Sequence, residues 1–477
     1  MERPMAEKLA CDVCVIGAGS AGLSVASGAA QLGARTILFE RGKMGGDCLN
    51  YGCVPSKALL AAAHRADQIR HADALGIRSA PPEIDFLSVM KHVREAIAAI
   101  EPHDSAERFE GLGVRVIKAE AKFIGPSEIS GGGFEVRAKR FIIAAGSSPA
   151  VPPIKGLSET PYLTNETLFS LDILPRHLLI VGGGPIGTEM AQAFRLLGSR
   201  VTIFDMGKIL PKDDPELTAP LRERLKSDGI TLREDIRIAG VSREAEGVAL
   251  TLEGSGEKII GSHLLLAAGR AASVEGLGLD KAGVAFERSG IKTDARLRTS
   301  NKKIYAIGDI AGGPQFTHIA GYHAGIVVRN ALFRIPAKID YRTLPWVTYT
   351  DPELAHVGMK EEEARKKYGA EVEILRASFK NNDRAIAEGD FGGFVKVVTR
   401  KNGRILGASI VGANAGELIQ IWSLALSQNL KLGAFNGTIL PYPTRGEISK
   451  AAASAYFAPK LFSAWPRRLV KFLLAFG

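Results

Sequence analysis

The densest chemistry in this 477-residue sequence lies in ten residues, Cys48-Leu49-Asn50-Tyr51-Gly52-Cys53-Val54-Pro55-Ser56-Lys57. Two thiols at this spacing can run dithiol–disulfide exchange. On a regular helix a five-residue offset separates two Cα atoms by about 7.5 Å of rise alone, beyond the roughly 7 Å that a disulfide spans. The turn must therefore be distorted, which Gly52 eases, and a strained, accessible bridge is the readily reduced kind. Pro55 suits a first helical turn and Ala58 to Ala63 carry the helix on, so Cys53 is expected at or just before a helix N-terminus. A thiolate is stabilised there, which gives Cys53 the electron-rich sulfur beside an oxidised cofactor and leaves Cys48 free to attack a substrate.

All four cysteines, Cys11, Cys14, Cys48 and Cys53, fall in the first ninth of the chain. That is no extracellular disulfide framework and fits a reducing compartment. Cys14 sits inside a β-prone run and is expected to be core. His318 and His323 flank a helix expected beside the cofactor and lack a third ligand, so a packing or hydrogen-bonding role is expected of them rather than a metal site. Arg384 is expected to be structural.

The elements that must position these thiols come as an internal repeat. Asp12 to Ile16 is a short strand, followed by Gly17-x-Gly19-x-x-Gly22, a helix to Leu32 and a second strand, Thr36 to Phe39, ending in Glu40. His177 to Val181, Gly182-x-Gly184-x-x-Gly187, a helix through Leu197, and Val201 to Phe204 ending in Asp205 repeat the plan. In both copies the acid follows the first glycine by 23 residues. The first glycine permits the tight turn, the second lets backbone approach a pyrophosphate, and the third lets helix pack on strand, while the acid accepts from a ribose hydroxyl. Two dinucleotide sites follow.

Strands ending in small residues, Phe141 to Gly146 and His263 to Gly269, mark exits from a sheet. Val151-Pro152-Pro153 opens a second domain, and Pro336 and Pro345 bracket the passage into a last one starting near Tyr341. A helix is expected from Phe86 to Glu107. In the last domain, strands are expected near Trp346 to Tyr349, Glu371 to Phe379, Phe394 to Thr399 and Ile405 to Val411, then a helix from Ala415 to Asn429, an α+β pattern without nucleotide signals.

Glycine supplies 53 residues, above the usual share of about 7%, while the apolar and charged fractions are ordinary for a globular chain. The net charge is +10, partly concentrated in Lys460, Arg467, Arg468 and Lys471. No basic stripe with interleaved aromatics appears elsewhere, so nucleotide phosphates rather than nucleic acid are the expected partners. Met1 to Leu9 lacks an apolar signal core and no run of 18 apolar residues occurs, so a cytoplasmic protein is expected. Leu461 to Phe476 mixes Trp465, Leu469, Phe472, Leu473, Leu474 and Phe476 with three basic residues over a length too short to span a bilayer. Packing on a dimer is the first expectation for this tail, and peripheral membrane contact is the alternative.

These residues carry a resemblance over nearly the whole chain. Gly45-Gly46-Asp47-Cys48 through Lys57 resembles the redox-disulfide motif of pyridine nucleotide-disulfide oxidoreductases of the glutathione reductase, dihydrolipoyl dehydrogenase and mercuric reductase type. Thr299 with Ile304-Tyr305-Ala306-Ile307-Gly308-Asp309 resembles that family's second FAD motif, and Thr350-Asp351-Pro352-Glu353 with Val357-Gly358 the opening of its dimerisation domain. The resemblance implies an α/β fold: two Rossmann-like dinucleotide-binding domains, for FAD (1–150 and 273–340) and NAD(P) (151–272), plus a C-terminal α+β dimerisation domain (341–477).

It further implies FAD on Gly17, Gly19, Gly22, Glu40, Gly46, Asp47, Ala145, Gly146 and Gly308, with Asp309 on the ribityl chain, and NAD(P)H on Gly182, Gly184, Gly187, Asp205 and Gly269. Lys57 would pair with Glu189 near the flavin, Cys53 would contact the flavin, and Cys48 would be the interchange thiol. Asp205 would repel a 2′-phosphate, so NADH is expected over NADPH, although Lys208 nearby leaves NADPH open.

The resemblance also implies a homodimer whose active site is completed by Tyr442 and Glu447 of the other subunit. Where such disulfide reductases carry His-Pro-Thr-x-x-Glu, this chain has Tyr442-Pro443-Thr444-Arg445-Gly446-Glu447. A phenol with a pKa of about 10 does not shuttle protons near neutrality as imidazole does. Tyrosine here resembles mercuric reductase, yet no cysteine follows Cys53 to supply that enzyme's C-terminal pair. The expected activity is transfer of electrons from NAD(P)H through FAD and the cysteine pair to a thiol-reactive acceptor, a metal ion such as Hg(II) or a disulfide. Dihydrolipoyl dehydrogenase-like chemistry is the alternative, and a membrane-docked redox-sensing flavoprotein is the alternative of another class.

Overall fold

Alternation of buried and exposed residues along Glu7–Ile16 (β1) gives way to four consecutive buried positions, as expected of a strand covered on both faces. In the computed structural model, which describes residues 6–476, β1 is followed by the helix Ser20–Gln31 (α1) and the strand Thr36–Glu40 (β2), close to where the glycine motif and periodicity put them. Of the stretch Met1 to Leu9, read above as lacking an apolar signal core, residues 1–5 lie outside the described residues.

β1 pairs in parallel with β2 (Cys14 opposite Ile37) and with Phe134–Ile143 (Cys14 opposite Phe141). Val114–Lys118 extends the sheet beyond β2, and Ile304–Ala306 joins the far side of Phe134–Ile143, both in parallel. The sheet thus places the ends of β1, β2 and Ile304–Ala306 along one edge, where their following turns can gather on a dinucleotide. One apolar layer on this sheet holds Cys14, Phe39, Phe123 and Phe141; the other holds Val15, Leu38, Ile142 and the inner faces of α1 and the helix Thr317–Ala331.

The chain divides into two units: Met1–Ala62, Ile84–Gly182 and Ile238–Ile339 form one, and Ala63–Glu83, Gly183–Arg237 and Asp340–Gly477 the other. In the first, His177–Val181 pairs in parallel with His263–Leu266, and an antiparallel meander runs through Ile238–Glu244, Gly247–Leu252 and Lys258–Gly261, which the periodicity did not announce. In the second, the helix Pro185–Leu196 and strand Arg200–Phe204 complete the repeat's element order, and Arg200–Phe204 pairs with Thr231–Arg233.

The last part of the second unit is a five-stranded antiparallel sheet ordered Pro345–Thr348, Glu353–Gly358, Ile405–Gly412, Phe394–Arg400, Val372–Ser378. Its core gathers Phe379, Trp422 and Phe435. Glu353–Gly358 is a strand the sequence reading left out. Two expected helices are interrupted. Phe86–Asp104 stops at Ser105, whose extended backbone and side chain, accepting from Arg108 N, start a new helix. The stretch from Ala415 breaks at Ile419 into Ala415–Leu418 and Gln420–Ser427.

Candidate active site

The distorted turn expected between the thiols is a junction of two helices. Gly46–Asn50 (α2) ends at Tyr51, and Cys53–Arg70 (α3) begins at Cys53 itself. A Cβ on Gly52 would stand 3.0 Å from Asp47 O and 3.1 Å from Asp47 Oδ2, so close approach selects glycine there. Asn50 Nδ2 donates to Met44 O and Gly46 O, tying the turn shut. Gly46 has φ +60° and packs on the phosphate turn: a Cβ would lie 2.6 Å from Gly19 Cα.

Both cysteines are free thiols, Cys48 half-buried and Cys53 exposed. They share a hydrogen bond that splits their acidity. Cys53 is lowered to about 6, chiefly by the bond from Cys48, then by the Thr317 hydroxyl 3.3 Å away and the charge of Lys57, against some burial. Cys48 is pushed far up by that same bond, by burial and by the negative charge on Cys53. The negative charge therefore rests on the sulfur at the helix N-terminus, where unpaired N–H groups favour it.

Asp47, beside Cys48, is held by residues distant in sequence. Its Oδ1 accepts from Asn165 Nδ2 at 2.9 Å and lies 3.2 Å from the Arg270 guanidinium. Arg270 also donates to Ser147 Oγ and Ser147 O, and Ser147 donates to Asp309 Oδ2 at 2.6 Å. Burial raises the Asp309 carboxyl, with the Ser147 hydrogen bond and Arg270 working the other way. Thr317, Asn165, Ser147 and Arg270 were missed by sequence reasoning; only Ser147 and Arg270 left a trace, each following a strand-exit glycine, Gly146 or Gly269.

The glycine turns fit dinucleotides. A Cβ on Gly17 would strike Ala144 O at 2.4 Å and one on Gly22 would strike Gly17 O at 1.8 Å, whereas beside Gly19 the nearest atom is 3.9 Å away. Glu40 accepts from Ala18 N at 2.6 Å and Gly42 N at 2.7 Å, so its carboxylate stands fixed at the turn. Ala145, Gly146 (φ +67°), Gly308 (φ +69°) and Asp309 follow strands of the same sheet. Gly308 N donates to Nδ1 of buried His323, which burial lowers to about 4 and keeps neutral, and His318 stacks on Phe316. His323 thus hydrogen-bonds and His318 packs, the two roles expected of these histidines.

In the second repeat, a Cβ on Gly182 would meet Ala267 O at 2.3 Å, the space beside Gly184 is open, and Gly187 is buried in the helix Pro185–Leu196. Asp205 accepts from Gly183 N at 2.6 Å and Gly207 N at 2.8 Å. Gly269 has φ +113°. Lys208, expected to leave a 2′-phosphate an option, is paired with Asp235. Gly184, Gly187 and Asp205 belong to the second unit, as do Glu189, Tyr442 and Glu447, while Lys57 and both reactive cysteines belong to the first. Glu189 is buried and accepts from Tyr349 N at 2.9 Å.

Tyr442 is 70% exposed and donates to Asp383 Oδ2 at 2.8 Å, a bond that raises the phenol further. Glu447, at the start of helix Glu447–Leu461, accepts from Thr444 N. Both line a cleft of about 510 Å³ with Arg376, Asp383 and Lys450. Elsewhere Asp214, Glu216 and Glu361 converge as a metal site would, but the buried Lys396 ammonium lies within 2.6 to 2.8 Å of all three. Burial alone would lower Lys396; the carboxylates lift it to about 12, so a lysine fills the place of a cation. Arg384, expected to be structural, pairs with Glu388.

Residues 11–324 match the family model described as pyridine nucleotide-disulphide oxidoreductase, and residues 344–453 match that family's dimerisation domain. The chain belongs to the pyridine nucleotide-disulphide oxidoreductase family. It is 35% identical over 455 residues to a mercuric reductase of Streptomyces lividans, covering 93% of this chain and 96% of that one. It is 37% identical over 453 residues to a dihydrolipoyl dehydrogenase of Thermus scotoductus, covering 93% and 97%. Among solved structures, the HOCl-induced flavoprotein disulfide reductase RclA from Escherichia coli superposes with a TM-score of 0.84 at 29% identity, over 93% of this chain and 99% of that one. Members of this family of oxidoreductases use FAD and NAD(P)H, and the chain carries the family's dimerisation module. Among the described residues no helix is long and apolar enough to cross a membrane.

Proposed function

We propose that this enzyme passes electrons from NAD(P)H through FAD and the Cys48/Cys53 pair to a thiol-reactive acceptor, a soft metal ion such as Hg(II) in preference to an organic disulfide. Gly17, Gly19, Gly22, Glu40 and Asp309 would hold FAD, which when bound would supply a two-electron relay for reducing the Cys48–Cys53 bridge, with one proton, to a thiol and a thiolate. Cys53 keeps its sulfur anionic through the bond from Cys48, then Thr317 and Lys57, and Cys48 holds its proton until an acceptor arrives. A metal ion displaces that proton directly. A disulfide needs a base to take it from Cys48 and an acid to return it to the departing thiol.

The observation that carries the preference is Tyr442. In the proposed dimer the partner subunit's Tyr442 and Glu447 complete the site, and a phenol raised by Asp383 is a hydrogen-bond donor rather than a base near neutrality. Domain bounds of 1–150 and 273–340 for FAD, 151–272 for NAD(P) and 341–477 for the dimerisation domain with its basic amphipathic tail belong to this reading. NADH is the preferred donor, because Asp205 is fixed where it repels a 2′-phosphate and Lys208 is engaged by Asp235.

The test is NADH oxidation with Hg(II) plus excess thiol, Cu(II) (an ion named with the RclA structure), lipoamide, glutathione disulfide and quinones. Turnover with a metal ion above that with either disulfide is expected. Tyr442→His should raise lipoamide turnover, and no rise would remove the phenol as the limitation. Dihydrolipoyl dehydrogenase-like chemistry is the second reading, favoured by the 37% identity to such an enzyme, and lipoamide as the fastest acceptor of the wild-type chain would establish it. A kcat/KM ratio below one for NADH over NADPH would reverse the donor assignment.

A further inference from the structure

The helix Ala464–Leu473 takes no part in the chemistry above, and none of its residues is buried. At 100° per residue, Trp465, Leu469 and Phe472 form one stripe that Leu473 widens, with the ring of Phe476, just past the helix, edge-on to Phe472, while Arg467, Arg468 and Lys471 occupy the other side. The apolar side is open: Trp465 is 71% exposed and Phe472 59%. Apolar area of this kind, left unmet by the subunit's own body, marks an interaction surface.

Charge decides what covers it. No Asp or Glu follows Glu447, whereas Lys450, Lys460, Arg467, Arg468 and Lys471 do. A second copy of the chain, at net charge +10, offers like charge in bulk, and the helix lies beyond the matched dimerisation segment, which ends at residue 453. An anionic lipid surface offers the complement on both counts, headgroup phosphates for the basic side and acyl chains for the aromatic side. Ten residues of helix extend about 15 Å, half of a bilayer's hydrocarbon thickness of about 30 Å, so the helix fits in the plane of the interface and not across it.

We propose that Ala464–Leu473 is an interfacial helix that seats this oxidoreductase on anionic membranes. The inference does not depend on which acceptor the thiols serve.

The full chain, loaded with FAD, would be sedimented with vesicles of phosphatidylcholine containing about 30 mol% phosphatidylglycerol and with phosphatidylcholine alone. At least about tenfold more protein is expected on the anionic vesicles, falling as added salt screens the basic side. Deleting residues 464–477, or the triple change Arg467→Glu, Arg468→Glu and Lys471→Glu, should abolish that binding while NADH oxidation in solution stays at its wild-type rate. The proposal fails if the full chain sediments with neither vesicle, or if either variant binds as well as wild type. It also fails if the deletion turns a dimer into a monomer in a chain that never bound lipid, since a second copy would then be the occupant.

Discussion

The chain holds two pairs of cysteines, and they share little beyond the element. Cys11 and Cys14 lie in β1, 4% and 0% exposed, packed among Phe39, Phe123 and Phe141. Cys14 is driven well above the ordinary thiol range, first by burial and then by its bond to Cys11. Cys48 and Cys53 also share a bond, but there one sulfur stands at the first residue of a helix beside a hydroxyl and a lysine. A thiol–thiol contact alone thus makes neither sulfur reactive. The difference lies in what surrounds the bond: on the covered strand burial raises Cys14 first, whereas Cys53, at the start of a helix, is lowered to about 6 by the bond from Cys48 and then by Thr317 and Lys57.

The comparison breaks first at the reactive pair. Cys53→Ser and Cys48→Ser should each cut acceptor turnover by at least about a thousandfold in steady-state assays. They should differ in colour, because Cys48→Ser keeps the thiolate that can donate charge to a bound flavin and Cys53→Ser does not. That absorption should be present above about pH 6 in the reduced wild-type enzyme and fade below it, since a lowered thiol is charged above its pKa.

Thr317→Val removes one hydrogen bond to the charged sulfur. The midpoint of the titration should move up toward the ordinary thiol range and turnover near neutrality should fall by roughly three- to tenfold. Asp47→Asn works in the opposite sense and more weakly: removing a negative charge near Cys53 should move the midpoint down, while the amide still accepts from Asn165. An upward shift would mean that Asp47 acts through Arg270 rather than through its charge. The smallest effect on activity belongs to Cys14→Ala, which should lose about 1 kcal/mol of stability in denaturant titrations and leave turnover unchanged.

What the sequence disclosed depended on the range of the forces involved. The glycine turns, the acids Glu40 and Asp205, and the start of α3 at Cys53 are local matters of turn chemistry and helix capping, and they stand close to where their spacing put them. Thr317 reaches Cys53 across 264 residues, and Asn165, at the start of a short helix, and Arg270, after a strand-exit glycine, converge on Asp47; no periodicity encodes such meetings. The strand Glu353–Gly358 was missed because His356 interrupts its apolar run. In the fold that ring is buried and lowered to about 4, with Ser409 Oγ and Gly358 O as hydrogen-bonding partners.

The contact between Gly46 and Gly19 has a consequence for how such an enzyme changes its substrate. A Cβ on Gly46 would lie 2.6 Å from Gly19 Cα, so the segment bearing Cys48 is pinned against the loop shaped for the pyrophosphate, and any side chain at Gly46 would force the two apart. Tyr442, exposed and hydrogen-bonded to Asp383, stands outside this tie, so its replacement leaves the contact between Gly46 and Gly19 untouched.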